Sequence, residues 1–228
     1  MISVGIRTIP EYFNFLKSST DEASLLLDRI AIKVSRFYRH APAWEAMAET
    51  ALPALAQSGR PLSVWSAACG YGEEVYTLAM ALDAAGVPGA ILGTDIDSAA
   101  IAAAGKGRYA ASAVADLPGA LAARYVRTVD AATGDIEVAP ALRERVSFAR
   151  HDLIFAAAPG TDFDIVSCRN MLIYLRRDAR DEALASITGA LRVGGYLLMG
   201  EAEWPTDPFT PILEPVSRTS RLFRKVAA

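Results

Sequence analysis

Glu73 and Glu74 follow directly on the small-residue run Cys69-Gly70-Tyr71-Gly72, and no other side chains in this sequence are so plainly placed for chemistry. Two glycines let a backbone turn tightly beside a ligand. A third carboxylate, Asp95, comes about 20 residues further on, the offset at which doubly wound folds place the acid that binds a ribose. The combination describes a nucleoside site, and the acids also select the charge of what binds. The loop is not G-x-G-x-x-G, and a glutamate pair at a helix start is a poor neighbour for pyrophosphate, which favours an N-terminus free of competing negative charge. A dinucleotide is therefore disfavoured. S-adenosylmethionine, with an ammonium and a positive sulfur, would be drawn to acidic residues lining a pocket. The loop alone reads equally well as an ordinary strand-to-helix turn, since short glycine motifs recur by chance. Asp95 at its offset favours the ligand.

The elements that must hold these acids can be read on either side of them. Ser63 to Ala68 is a short run of the kind a buried parallel strand supplies, and Val75, Leu78, Ala79 and Leu82 recur at helical spacing after Glu74. Gly89 to Asp95 is a second strand, and an alanine-rich helix is expected over Ser98 to Ala104. Phe163 to Cys168 and Gly195 to Gly200 continue the strands, with a helix between them that presents Leu184, Ile187 and Leu191 on one face. Alternating strands and helices predict an α/β, doubly wound Rossmann-like sheet. Between Gly107 and Asp152 the pattern changes: Tyr125 to Val129, a turn at 131–135, Ile136 to Val138 and Val146 to Arg150 predict a small antiparallel β excursion. Arg221 to Lys225 is expected as the last edge strand. Residues 1–60 read as helical, with one short helix around Tyr12, Phe13 and Leu16, a capping box at Ser19 to Glu22 before Leu25, Leu26 and Ile30, and a further helix from Pro42 to Gln57. The expected division is a helical region over 1–60 and a catalytic domain over 61–228, with 107–152 inserted in it.

With 228 residues, 52% of them hydrophobic and 21% charged, the chain can bury a substantial core. A net charge of −3 lacks the basic excess that drives nonspecific nucleic-acid binding, so nucleic acid is not an expected partner. The sequence has neither an apolar leader nor a run of about 18 apolar residues. Membrane insertion is not expected, and the cytoplasm is the default location. Cys69 and Cys168 lack metal-ligand spacing and read as reduced, buried thiols, and no metal is expected.

Four separated blocks, 32–39, 65–74, 94–97 and 168–174, together resemble one family, the CheR-type methyltransferases that transfer a methyl group from S-adenosylmethionine to glutamates of chemotaxis receptors. Ile32-Lys-Val-Ser-Arg-Phe-Tyr-Arg39 resembles the segment leading into that family's donor site, and Trp65 to Glu74 its donor loop. Thr94 to Asp97 is similar to its ribose acid, and Cys168-Arg-Asn-Met-Leu-Ile-Tyr174 to its signature at the end of the fourth strand. The resemblance implies S-adenosylmethionine as cofactor, S-adenosylhomocysteine as product, and a chemoreceptor or other signalling protein as acceptor. It implies that Glu73 holds the amino-acid part of the donor and Asp95 the ribose. Lys33, Ser35, Arg39, Ala67, Asp152, Leu153, Arg169 and Asn170 would line the same pocket, with Arg39 and Tyr174 facing the acceptor as the catalytic pair. Lys33 and Asp152 stand where the family prefers asparagine, and Ser35 where it prefers threonine. The family also implies a longer N-terminal helical domain with a basic face toward the receptor, where this chain has only residues 1–31 ahead of the lead-in segment. The 107–152 excursion corresponds to the family's small β-subdomain and would be a docking surface.

Each role has a simpler rival. Asp95 could cap the next helix, although Asp97 and Ser98 are better placed to do so. Glu74 reads as first-turn support of the helix dipole rather than a donor ligand. Arg39 as a solvated arginine and Tyr174 as a core aromatic would be preferred without the family resemblance. His40 and His151 read as ordinary polar residues, because methylating a carboxylate leaves no proton to remove. Trp65 and Trp204 read as packing residues. Two further functions compete: transfer to a different small-molecule or protein acceptor, and a regulatory module that binds the donor without turnover.

Overall fold

Strand β1 (Leu62–Ala67) lies inside a seven-stranded sheet in a computed structural model that describes residues 4–19, 22, 26, 35–217 and 219–227. The chain divides into two compact units, Met1–Val34 and Ser35–Ala228. In the first, helix α1 (Ile9–Ser18) starts at Thr8, whose hydroxyl accepts the Glu11 amide, and Pro10 sits in the first turn, where its missing N–H costs nothing. Ser19 Oγ accepts the Glu22 amide at 3.3 Å, one half of the expected capping box. Most of the helix expected after it, and Lys33, lie outside the described residues.

In the larger unit, α2 (Ala41–Ala46) runs through a π-helical turn (Met47–Ala51) into α3 (Leu52–Ala56), covering the helix expected from Pro42 to Gln57. The π turn has a local cause. Pro53 has no N–H to donate to the carbonyl four residues back, and its ring would collide with that carbonyl. A wider turn ahead of it relieves both problems.

The main sheet has the order β6-β2-β1-β7-β8-β10-β9. Its members are β2 (Gly89–Asp95), β6 (Val146–Arg150), β7 (Phe163–Cys168), β8 (Leu191–Met199), β9 (Leu213–Ser217) and β10 (Leu222–Lys225). All pairings from β6 across to β8 are parallel, and β10 is antiparallel to both its neighbours. Helices α4 (Glu73–Ala84), α5 (Ser98–Lys106) and α8 (Arg177–Ala190) connect strands of this sheet. Strand periodicity sends alternate residues to opposite faces. Val64, Ile165, Leu198 and Leu222 accordingly join the cluster under α4, while Trp65, Val166, Leu197 and Phe223 join the cluster under α8. A separate three-stranded antiparallel sheet holds β3 (Arg108–Tyr109), β4 (Val126–Thr128) and β5 (Ile136–Val138), with α6 (Gly119–Tyr125) and α7 (Pro140–Arg143) beside these strands in sequence. Among the described residues no helix is long and apolar enough to cross a membrane.

The fold matches the expected doubly wound class and differs in three places. Val146–Arg150 is not part of the antiparallel excursion: it is the parallel edge of the main sheet, paired with β2 from Ile91↔Val146 to Asp95↔Arg150. An edge strand is only half covered, so its alternation resembles that of an antiparallel strand. The expected last edge strand, β10, is interior, and the edge is β9, which carries Pro215 as edge strands tolerate. Leu191 opens β8 rather than closing α8.

Gly72 ends the loop before α4 at φ +90°, and a Cβ there would lie 2.8 Å from Ala104 Cβ and 3.1 Å from the Phe148 ring. Gly72→Ala is expected to cost about 2 kcal/mol, combining an unfavourable left-handed backbone with overpacking. Urea denaturation of the ligand-free protein measures this, and an unchanged midpoint would refute it.

Candidate functional site

The C-terminal ends of β6, β2, β1 and β7 lie side by side, and between β1 and β7 the connections reverse direction, the place where open α/β sheets form their ligand crevice. Ala67, buried at the end of β1, is in register with Thr94 on one side and Cys168 on the other. The chain then coils through Ala68 at φ +57° and Gly70 at φ +55°. The Cys69 amide donates to Thr94 O at 2.9 Å and the Gly70 amide to Asp95 Oδ2 at 2.8 Å, tying the loop to the end of β2. A Cβ on Gly70 would meet nothing within 4 Å, so the loop faces open space there. Asp95 Oδ1 accepts the Asp97 amide at 3.0 Å, and it is Asp97 that caps α5, taking the Ala99 and Ala100 amides. The helix-cap alternative for Asp95 therefore fails.

The two glutamates diverge. Glu74 accepts the Ser66 hydroxyl at 2.8 Å and pairs with Arg169 at 3.4 Å, a partner that a first-turn dipole role does not foresee. Glu73 is buried, and its Oε2 has no hydrogen-bond partner among the described residues. Burial, with the Glu74 charge as a lesser contribution, pushes its carboxyl above the ordinary glutamate value against a hydrogen bond from Ser35. A buried carboxylate oxygen without a partner is costly, and a cationic ligand group would satisfy it. Tyr109, not anticipated from sequence, closes this side: its hydroxyl donates to Tyr71 O at 2.8 Å, and burial, then Glu73, push its phenol up.

At the end of β7 the buried Arg169 guanidinium donates to Arg39 O at 2.7 Å and lies over the Trp44 ring at 5.2 Å. Burial pushes its pKa down against the opposing pull of Glu74, and an arginine stays charged under such a shift. Asn170 takes φ +58°, and its amide donates to Glu203 Oε2 at 2.8 Å. Glu203 was not singled out from sequence, since its partners are backbone amides that carry no residue-type signal. Arg39 and Tyr174 are both exposed, Tyr174 on the 3₁₀ turn Leu172–Tyr174.

The structure thus joins Ser35 to Glu73, Glu74 and the Arg39 backbone to Arg169, and Asp95 to the glycine loop. Asp152 and Leu153 follow β6 at the same edge, Leu153 buried, but Asp152 Oδ1 is turned onto its own chain, accepting the Ile154 and Phe155 amides at 3.0 and 3.1 Å. Cys69 and Cys168 are buried thiols raised chiefly by desolvation, in keeping with inert packing residues. Trp65 is fully buried with its Nε1 on Thr94 Oγ1 at 2.8 Å, and Trp204 packs edge-on against Phe223 at 5.1 Å.

A family profile described as "CheR methyltransferase, SAM binding domain" matches residues 33–209. The chain belongs to the CheR methyltransferase family. It is 33% identical over 210 residues to the chemotaxis protein methyltransferase of Listeria monocytogenes and 34% identical over 213 residues to chemotaxis protein methyltransferase 1 of Pseudomonas aeruginosa. Those matches cover 88% and 87% of this chain and 76% of each relative. An uncharacterized 104.1 kDa protein of Rhodobacter capsulatus is 36% identical over 212 residues, covering 88% of this chain, which spans only 22% of that relative. The cofactor of this CheR-family enzyme is S-adenosylmethionine, and the donor set fits it: a buried carboxylate oxygen unpartnered among the described residues for an ammonium, a carboxylate on β2 for a diol, and open space beside Gly70.

Proposed function

We propose that this protein methylates side-chain carboxylates of glutamates on a chemoreceptor or a related signalling protein, acting in the cytoplasm. The observation that carries the reading is a buried Glu73 oxygen, unpartnered among the described residues, beside a sheet edge that also presents Asp95 and the exposed Tyr174. The names of the two bacterial relatives, both chemotaxis methyltransferases, support the acceptor class.

Bound S-adenosylmethionine would supply a methyl group on a positively charged sulfur. In this reading Glu73 and Asp95 hold its amino-acid and ribose ends, with Ser35, Ala67, Leu153, Arg169 and Asn170 as walls. Asp152 completes this set through its backbone, because its carboxylate is engaged locally. A glutamate carboxylate is already ionised near neutral pH, so the attack requires no general base. What remains is placing one oxygen in line with the methyl. Arg39 offers a fork of donors and Tyr174 a hydroxyl, each able to hold a carboxylate without extinguishing it.

Residues 61–228 form the catalytic domain in this reading, with 1–60 as the helical region and the small sheet with its helices, 107–145, as the insert, since β6 belongs to the main sheet. Arg108 and Arg127, exposed on the small sheet around the buried Glu137, support a docking surface there for an acidic segment.

The test is transfer of labelled methyl to a receptor fragment. The expected product releases its label in mild base, as a carboxyl ester does, and Tyr174→Phe lowers kcat about twentyfold, the worth of one hydrogen bond to an ionised carboxylate. A base-stable product on another lysate protein would replace this acceptor, and donor binding with no turnover would reduce the protein to a binding module.

A further inference from the structure

We infer that Arg180 and Glu203 are positioning residues for Tyr174, gripping the turn that carries it by its carbonyls and its amides respectively. The inference rests on the methyltransferase reading for its catalytic consequence, and on geometry for the grip itself.

Tyr174 is 62% exposed and the preceding Ile173 42% exposed, so little packing fixes the phenol. Its direction is inherited from the backbone, and that backbone is a 3₁₀ turn of three residues closed by Tyr174 N to Met171 O and Leu175 N to Leu172 O, both at 3.1 Å. Such turns are short and poorly bonded, and are not rigid by themselves. Two side chains from elsewhere supply what is missing. Arg180, in the early turns of α8, donates Nε to Leu172 O at 3.1 Å and Nη2 to Leu175 O at 3.3 Å. Glu203, beyond the end of β8, is buried, and Oε2 accepts the Asn170 amide at 2.8 Å and the Gly200 amide at 2.7 Å, while Oε1 accepts the Ile173 amide at 3.3 Å. The turn is held at both ends by opposite charges, and the Gly200 contact anchors it to β8. A buried carboxylate must be compensated, and here three backbone amides do so, two of them within the segment that leads to Tyr174. A fork of donors and a carboxylate fix a peptide segment more narrowly than a neutral contact would. In-line transfer is where sub-ångström placement of an orienting hydroxyl is felt.

The experiment measures kcat, KM for a receptor fragment and S-adenosylhomocysteine affinity for Arg180→Met, Arg180→Lys, Glu203→Gln and Tyr174→Phe. It adds the double variant Arg180→Met with Tyr174→Phe, and amide hydrogen exchange on the variants. Arg180→Met is expected to lower kcat about tenfold while KM and S-adenosylhomocysteine affinity stay within about twofold, with partial recovery in Arg180→Lys. In the double variant the losses should not add, because both act through one hydroxyl. Exchange should rise at Ile173 to Leu175 in Arg180→Met and Glu203→Gln and stay low in β1 and β7. Additive losses, an unchanged kcat, or a rise spread through the whole sheet would each overturn the inference. Exchange needs no turnover: a wild type that transfers no methyl, with the local rise still present in the variants, would retire the acceptor reading and leave the grip standing.

Discussion

Asp95→Ala is expected to weaken S-adenosylhomocysteine binding by about a hundredfold or more, on the order of 3 kcal/mol. Each oxygen of the Asp95 carboxylate accepts one backbone amide, Gly70 on Oδ2 and Asp97 on Oδ1. A carboxylate can accept about four hydrogen bonds, so one lone-pair direction remains on each oxygen, the demand made by two neighbouring ribose hydroxyls. Bonds to an ionised acceptor contribute more than neutral ones. The substitution also leaves the Gly70 and Asp97 amides without an acceptor, so the loop would lose its shape before any ligand arrives. Calorimetric titration against wild type decides the matter, and equal affinities would remove Asp95 from the site.

Glu73→Gln should act in opposite directions on affinity and stability. Its carboxyl is raised in the folded protein, first by burial and then by Glu74. A carboxyl of that kind binds its proton more tightly folded than unfolded, so the folded state loses stability as pH rises from the unfolded value through the folded one. Above the folded value the ligand-free protein carries that penalty, and removing the charge should raise its melting temperature there. In the proposed site the ammonium of the ligand would offset the penalty in wild type. The glutamine variant is therefore expected to bind S-adenosylhomocysteine about 30-fold more weakly, roughly 2 kcal/mol for a buried charge-assisted contact. Wild-type affinity should fall as the pH drops from neutral toward the ordinary carboxylate range, while the variant's affinity lacks that slope. A variant that is less stable when ligand-free, or that follows the wild-type pH profile, would contradict the charge assignment.

What could be read from the sequence was what is local. The run from Leu62 to Asp95 encodes a strand, turn, helix and strand whose partners are adjacent in the chain, and Glu73 and Asp95 stand where that unit presents its edge. Val146–Arg150 reads from sequence as antiparallel because its partner strand lies more than 50 positions earlier and its half-covered pattern is shared by antiparallel strands. Leu213–Ser217 was missed because Pro215 and the turns around it resemble a loop. The same division holds in the site. Glu74 was read without its partner Arg169, which is 95 positions away, and Arg180 and Glu203 engage carbonyls and amides that every residue possesses. Tyr109 reaches Tyr71 O only because the small sheet folds over the glycine loop.

The seat of β10 between β8 and β9 imposes an order on assembly. During synthesis β8 and β9 both leave the ribosome before the strand that joins them, so the edge of β8 stays open until Leu222–Lys225 emerges. An open edge is a template for the wrong strand, and Pro215 in β9 makes that strand a poor substitute. Lys225 then completes the closure: its buried ammonium donates to Thr188 O and Leu191 O at 2.8 and 2.9 Å, at the C-terminal end of α8, so the latest strand to arrive also fastens the helix that begins just after the Tyr174 turn.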